Sequence, residues 1–317
     1  MKAYALTTPD EPAALVDLPE PETPAGGALI RVRAASVNGM DVHQAAGYLV
    51  AMMPHDFPVT IGRDFAGIVE AVGEGRADLA VGDEVMGFIP PMPPLHAGTW
   101  TELLPAGPEV ALARKPAGLS FEVAAAIPLA GAAALDAVNS VDIKEGDSVV
   151  VAGATGGVGS FVVQLAAQRG ATVAATARAG DEETYVRSLG AAETFDYAGG
   201  PVAEALRTRF PDGIDVLLDF VNRDPAAFTE MASLVRDGGR VATTMGAADV
   251  EGLTARGVHA TNVMAVTTGE KMTDIARDVQ EGRLRVEVQQ TFPLDDAAAA
   301  TAAFAAGTVG KIVLTVR

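Results

Sequence analysis

The chain has 317 residues, a net charge of −18 and no cysteine, and 49% of its residues are apolar. That length suits about two domains of roughly 150 residues each. The acidic balance argues against nucleic acid or an anionic membrane surface as partner, since both need a basic face, and the lack of thiols excludes disulfides and thiolate-held metals.

The first residues lack the apolar core of a signal peptide, and a cytoplasmic, reducing location is expected. Residues 1–115 read as short strands broken by turns. The segment 28–37 alternates in polarity, and 65–73 and 81–89 are β-rich runs punctuated by Gly62, Gly67, Gly73, Gly75, Gly82 and Gly87. This predicts an irregular β-barrel. From 116 the texture becomes helical, with a break or entry turn at Pro128. The uncharged stretch 123–135 is too short to cross a bilayer.

Strand and helix then alternate. Predicted strands at 147–154, 171–178, 213–221 and 240–246 are followed or separated by helices at 158–170, 181–190 and 225–239, which argues for a parallel sheet covered by helices. An amphipathic helix over 268–282 follows. The tail, 285–317, returns to strand, helix and strand, and its last strand is expected to pair with an early one. The expected domains are therefore 1–115 with 286–317, and 116–285.

The stretch VVVAGATGGVGSFVVQLA begins at Val149. Its apolar run suits a central strand buried on both faces. Ala154, Gly156 and Gly159 then follow the spacing of a dinucleotide fingerprint. One small residue permits the tight turn, one lets backbone approach a pyrophosphate, and one lets the helix pack on the strand. At the end of the next strand, where an NAD site usually places Asp or Glu, the chain has Arg178. A guanidinium there suits the 2′-phosphate of NADPH, and Tyr197 is positioned to add a phenolic hydrogen bond.

These residues, with the segments FPVTIGRDFAGIVEAVGEGRADLAVGDEVMGF and GKIVL, resemble the medium-chain dehydrogenase/reductase superfamily, in its zinc-independent quinone oxidoreductase and enoyl reductase branch. The resemblance implies an α/β chain: a GroES-like β-barrel domain, an inserted Rossmann domain, and an active site in the cleft between them. It implies cofactor contacts at Thr155, Gly156, Gly157, Val158, Thr176, Arg178, Tyr197, Phe220, Val221, Met245, Gly246, Val263 and Met264. It also implies a homodimer.

Departures from the zinc alcohol dehydrogenases of that superfamily bear on the chemistry. Asn38 stands where they carry a cysteine ligand, and Gly62, Arg63 and Asp64 stand where they carry Gly-His-Glu. The four histidines, His43, His55, His96 and His259, show no close-spaced ligand pair, so no metal is expected. The family's Gly-Leu-Thr-Ala segment is replaced here by alanine-rich sequence without a hydroxyl. The resemblance then implies hydride transfer from NADPH to a hydrophobic conjugated carbonyl or quinone. Asn38 and Tyr48 are the candidate donors to the oxygen that gains charge; Tyr48 alternatively walls the site. Asp41 is expected to order the loop around Asn38. Thr99 and Trp100 either line the pocket or pack under a strand. Two other readings stand beside this one: an NADPH-binding protein with little or no catalysis, and a zinc-independent alcohol dehydrogenase.

Overall fold

The computed structural model describes residues 1–317. The chain divides into two compact units: Met1–Leu129 together with Thr267–Arg317, and Ala130–Val266.

The first unit opens with β1 (Lys2–Leu6), β2 (Ala14–Asp17), β3 (Ala28–Ser36), α1 (Gly39–Ala45), β4 (Val59–Thr60), β5 (Asp64–Val72), β6 (Glu84–Phe88), β7 (Leu103–Ala106), β8 (Ala111–Arg114) and α2 (Phe121–Ala125). α3 (Pro128–Ser140) leads into the second unit, with Pro128 as its first residue. That position tolerates proline because its missing N–H has no intrahelical partner anyway.

The second unit continues with β9 (Ser148–Ala152), α4 (Gly157–Gln168), β10 (Thr172–Thr176), α5 (Asp181–Ser188), β11 (Glu193–Phe195), α6 (Val202–Arg209), β12 (Ile214–Asp219), α7 (Pro225–Ala232), β13 (Val235–Thr243), α8 (Val250–Ala255) and β14 (His259–Asn262). The chain then rejoins the first unit with α9 (Gly269–Gln280), β15 (Val288–Pro293), α10 (Ala297–Ala305) and β16 (Lys311–Thr315).

In the first unit a sheet runs β15-β16-β3-β5-β6-β8, with β7 also on β3, beside a smaller sheet β2-β1-β4. β16 lies antiparallel to β3, Val313 opposite Ser36. The core between the sheets holds Leu6, Ile30, Phe65, Trp100, Leu104, Ile312 and Leu314. Trp100 is fully buried, its ring centroid 5.8 Å from that of Tyr4, so of its two expected roles it takes the packing one.

The unit limits differ from the expected 115/116 and 285/286. α2 packs on β3 and β5, and α9 packs on β8, so residues 116–129 and 267–285 belong to the first unit. Helical character alone does not reveal which sheet a helix covers.

The second unit is a parallel sheet in the order β11-β10-β9-β12-β13-β14, the doubly wound Rossmann order. β9 is central and buried along Val149–Ala152. The elements β11, α6, α8 and β14 stand beyond those expected, and 235–239, read as the end of a helix, forms the start of β13. Val235 pairs with Ile214, a register shift follows, and Gly238 adopts φ +76° there. No helix is long and apolar enough to cross a membrane.

Candidate active site

In the second unit the fingerprint occupies the turn from β9 into α4. Gly153 takes φ +79°, and a Cβ there would meet the Val221 side chain at 2.6 Å. A Cβ on Gly159 would meet the Gly153 carbonyl oxygen at 2.1 Å, so α4 seats on the strand turn only because that residue is glycine. Gly156 is the N-cap and has no side chain to cap with. The first-turn amides of Gly157, Val158 and Gly159 therefore lack intrahelical acceptors. Such a helix start presents N–H groups and the positive end of the helix dipole to an anion.

The remaining expected cofactor residues gather along the same carboxyl edge of the sheet. Phe220 and Val221 follow β12; the Phe220 N–H donates to the Ala152 carbonyl at 3.1 Å, which holds this loop beside the fingerprint. Buried Asp219 accepts from the amides of Val221 and Asn222, both at 3.0 Å, and fixes the turn. Met245 and Gly246 follow β13, with Gly246 at φ +71°. Val263 follows β14, its N–H on the Thr243 carbonyl at 2.7 Å, while Met264 is 87% exposed. This edge, where β10 and β12 diverge from β9, is the switch point at which doubly wound sheets take dinucleotides.

Two expected contacts are arranged differently. The buried Thr176 hydroxyl accepts the Gly153 N–H at 2.9 Å, so it braces the fingerprint turn. The Tyr197 hydroxyl donates to the Glu182 carboxylate, 3.0 and 3.2 Å from its two oxygens. Its proton is thereby engaged by that carboxylate. Glu182 also accepts from the Arg178 backbone N–H at 2.8 Å and from Arg178 Nε at 2.7 Å. Burial alone would raise the Glu182 pKa, but the hydrogen bonds from Arg178 and Tyr197 hold it below the usual range. The sequence reading missed Glu182 because it sought an acid at the strand end, whereas this one folds back from α5.

In the first unit, Asn38 caps α1. Its backbone N–H donates to Asp41 Oδ2 at 2.9 Å, so Asp41 orders this loop as expected. The Asn38 amide donates to Asp41 at 3.2 Å and to Asp64 at 2.9 Å, and its oxygen accepts from Lys311 Nζ at 2.5 Å. Both amide hydrogens are thus committed to carboxylates, and the expected donation from Asn38 to a substrate gives way to this network. Asp64 further accepts from the Ser36 hydroxyl at 2.8 Å and the Leu129 N–H at 3.1 Å. Arg63, 1% exposed, donates to Gln44 at 2.7 Å. Gly62 precedes it at φ +98°, where a Cβ would strike Trp100 at 2.2 Å.

Two acids and two bases are therefore buried together. Burial pushes Asp64 up and Lys311 down, and each charge opposes the other's shift. Asp41 is pushed up to about 7, first by burial and then by the nearby Asp64 charge. Its Oδ1 has no hydrogen-bond partner. Tyr48, on the turn after α1, is 68% exposed, its ring centroid 6.0 Å from that of His43. It is the accessible donor of the expected pair. Thr99 is fully buried with its hydroxyl unpartnered.

Residues 24–102 match the alcohol dehydrogenase GroES-like domain, and residues 189–314 match the zinc-binding dehydrogenase family. A 2-methylene-furan-3-one reductase of Solanum lycopersicum is 31% identical over 294 residues, covering 90% of this chain and 71% of that protein. A human mitochondrial NAD(P)H oxidoreductase is 30% identical over 305 residues, covering 84% and 75%. The chain belongs to the medium-chain dehydrogenase/reductase superfamily. Among solved structures of this superfamily, the quinone oxidoreductase from Coxiella burnetii superposes with a TM-score of 0.89 at 28% identity, covering 100% of this chain and 99% of that one.

The zinc named in one matched family does not fit the residues here. Arg63 carries no lone pair for a cation, the Asn38 oxygen is taken by Lys311, and both oxygens of Asp64 accept protein hydrogen bonds. The Lys311 ammonium stands among the groups that a metal would need. The buried lysine was the overlooked member: a lone cation opening the apolar strand KIVLT is the signal that it has a buried counter-ion.

Proposed function

We propose that this protein is an oxidoreductase that transfers hydride from a nicotinamide dinucleotide, NADPH in preference, to a small hydrophobic conjugated carbonyl or quinone, without zinc. The observation that carries this reading is the self-satisfied network at the metal-ligand positions, in which Asn38, Arg63 and Asp64 bind protein groups and Lys311 supplies the positive charge. With no ligand set for a Lewis acid, an unactivated alcohol is a poor substrate. An electron-poor acceptor needs none. The names of the tomato and human relatives, an enone reductase and an NAD(P)H oxidoreductase, support the same class.

A reduced nicotinamide, when bound, supplies hydride to an electron-poor carbon. The chain's part is to bind and orient. The α4 amides receive the pyrophosphate, Gly156 lets backbone come close to it, and Gly153 and Gly159 let the loop and α4 pack at the strand turn. Thr155, Phe220, Val221, Met245, Gly246, Val263 and Met264 supply the surrounding walls. The Arg178 guanidinium faces the 2′-phosphate. Tyr48 donates a hydrogen bond or proton to the substrate oxygen as negative charge collects there. The Asn38 network fixes the start of α1 and so the turn that carries Tyr48. The open edge of β14 supports a homodimer.

The test is oxidation of NADPH, followed by its absorbance, against a panel of enones, quinones and simple alcohols. Turnover with enones or quinones and none in either direction with alcohols is expected. Alcohol oxidation that is lost to a chelator would reverse the assignment.

A further inference from the structure

The Arg178 site contains its own counter-charge. Glu182 is 6% exposed, yet its carboxylate receives three donors from two residues: the Arg178 backbone N–H, the Arg178 guanidinium through Nε and Nη2, and the Tyr197 hydroxyl. The guanidinium also lies over the Tyr197 ring, 6.0 Å from its centroid. Arg178 and Glu182 together carry no net charge. A phosphomonoester carrying about −1.5 to −2 charge would meet a neutral pair in place of a free cation. The phenol turns a lone pair, not a proton, toward any anion on its other side. The part of Arg178 still available is the remaining guanidinium edge, and that side chain is 57% exposed.

We propose that Glu182 is a specificity-determining residue that restrains 2′-phosphate recognition, so that the site accepts NADH alongside NADPH. This rests on the nicotinamide-reductase reading above and assigns its cofactor selectivity. The carboxylate fixes Arg178 in place, which favours the phosphate. It also repels the phosphate at close range, which disfavours it. An uncharged acceptor at the same place would still hold the guanidinium, so the charge itself contributes chiefly the repulsion. A 2′-hydroxyl carries no charge and is not repelled by it.

The experiment measures dissociation constants of NADPH and NADH by nicotinamide fluorescence in the wild type, E182Q and Y197F. The glutamine removes the charge and keeps one acceptor oxygen for the guanidinium, while its amide nitrogen, a donor, replaces the oxygen that accepts the Arg178 backbone N–H; NADH binding reports any cost of that exchange. The wild type is expected to bind the two cofactors within about tenfold of each other. E182Q is expected to raise the NADPH-over-NADH preference about tenfold, through tighter NADPH binding with NADH nearly unchanged. Y197F, at a half-exposed ring, is expected to shift the preference less than about twofold. Loss of NADPH preference in E182Q would overturn the proposal by making the carboxylate a support for phosphate binding. So would a selective loss of NADPH affinity in Y197F, by showing that the phenol serves the phosphate. An unchanged ratio in E182Q overturns it too. Failure of the wild type to bind either dinucleotide would overturn the cofactor reading itself, a distinct result.

Discussion

Lys311 donates to the side-chain oxygen of Asn38 at 2.5 Å across 273 residues of sequence. It joins the last strand of the chain to the cap of α1, and it does so where both partners are shielded from water. Lys311 Nζ also reaches the Val37 carbonyl at 3.1 Å. A buried ammonium is costly unless its charge is matched, and here Asp64 and Asp41 match it.

Lys311→Met should therefore destabilise the first unit strongly. Removing one member of a buried ionic set leaves the others uncompensated, at a typical cost of about 3–5 kcal/mol. Denaturant unfolding checks this, with a lower midpoint expected. A loss below about 1 kcal/mol would mean that water replaces the ammonium.

Asp41 sets a pH dependence of defined sign. Its folded-state pKa is raised to about 7 from an ordinary 3.8. The folded chain therefore holds a proton that the unfolded chain releases. The resulting stability is fully present below the ordinary pKa and is lost as pH rises through about 7. Each pH unit between those limits changes stability by about 1.4 kcal/mol at most. Asp41→Asn cannot titrate, so its stability relative to the wild type should rise with pH across that window and level off above it. Unfolding midpoints of both proteins at several pH values measure the difference, which also cancels the opposite contributions of depressed carboxylates such as Asp215. A difference independent of pH would place the Asp41 pKa in the ordinary range.

Arg178→Ala should weaken NADPH binding by about tenfold or more and change NADH binding by less than about twofold, since a charge-assisted bond is worth roughly 1.5–3 kcal/mol before exposure discounts it. The variant also leaves Glu182 without its cation, which adds repulsion. Equal weakening of both cofactors, measured by fluorescence titration, would make Arg178 a support for the β10–α5 turn.

The parts of the fold and site that were legible in the sequence share a physical feature: they are local. The fingerprint can be read because Gly159 meets a steric demand set by the Gly153 carbonyl a few residues earlier. The alternation of strand and helix gives the parallel sheet for the same reason. The arrangements that were not legible depend on residues distant in sequence or on the direction of a side chain. Asn38 reads as an available amide until Asp64 and Lys311 are seen to use it. Tyr197 reads as a donor to phosphate until its hydroxyl is seen to donate to Glu182, 15 residues earlier. The limits of the first unit were missed because α2 and α9 look like Rossmann helices from their composition, and only packing reveals the sheets they cover.

Tyr48→Phe deletes one hydroxyl at an exposed position and should leave folding and NADPH affinity intact. If the phenol holds the developing oxyanion, kcat on an enone should fall on the order of 10²-fold. The pairing with Asn38→Ala is informative, since that variant should lose stability as well as activity. Unchanged turnover in Tyr48→Phe would pass the donor role to the cofactor ribose, a backbone N–H or water.

The most direct test of the central claim is steady-state reduction of an enone by NADPH with protein dialysed against chelator and checked for metal by elemental analysis. Full activity in metal-free protein, with no oxidation of simple alcohols, is the predicted result. Stoichiometric zinc whose removal abolishes enone reduction would contradict it.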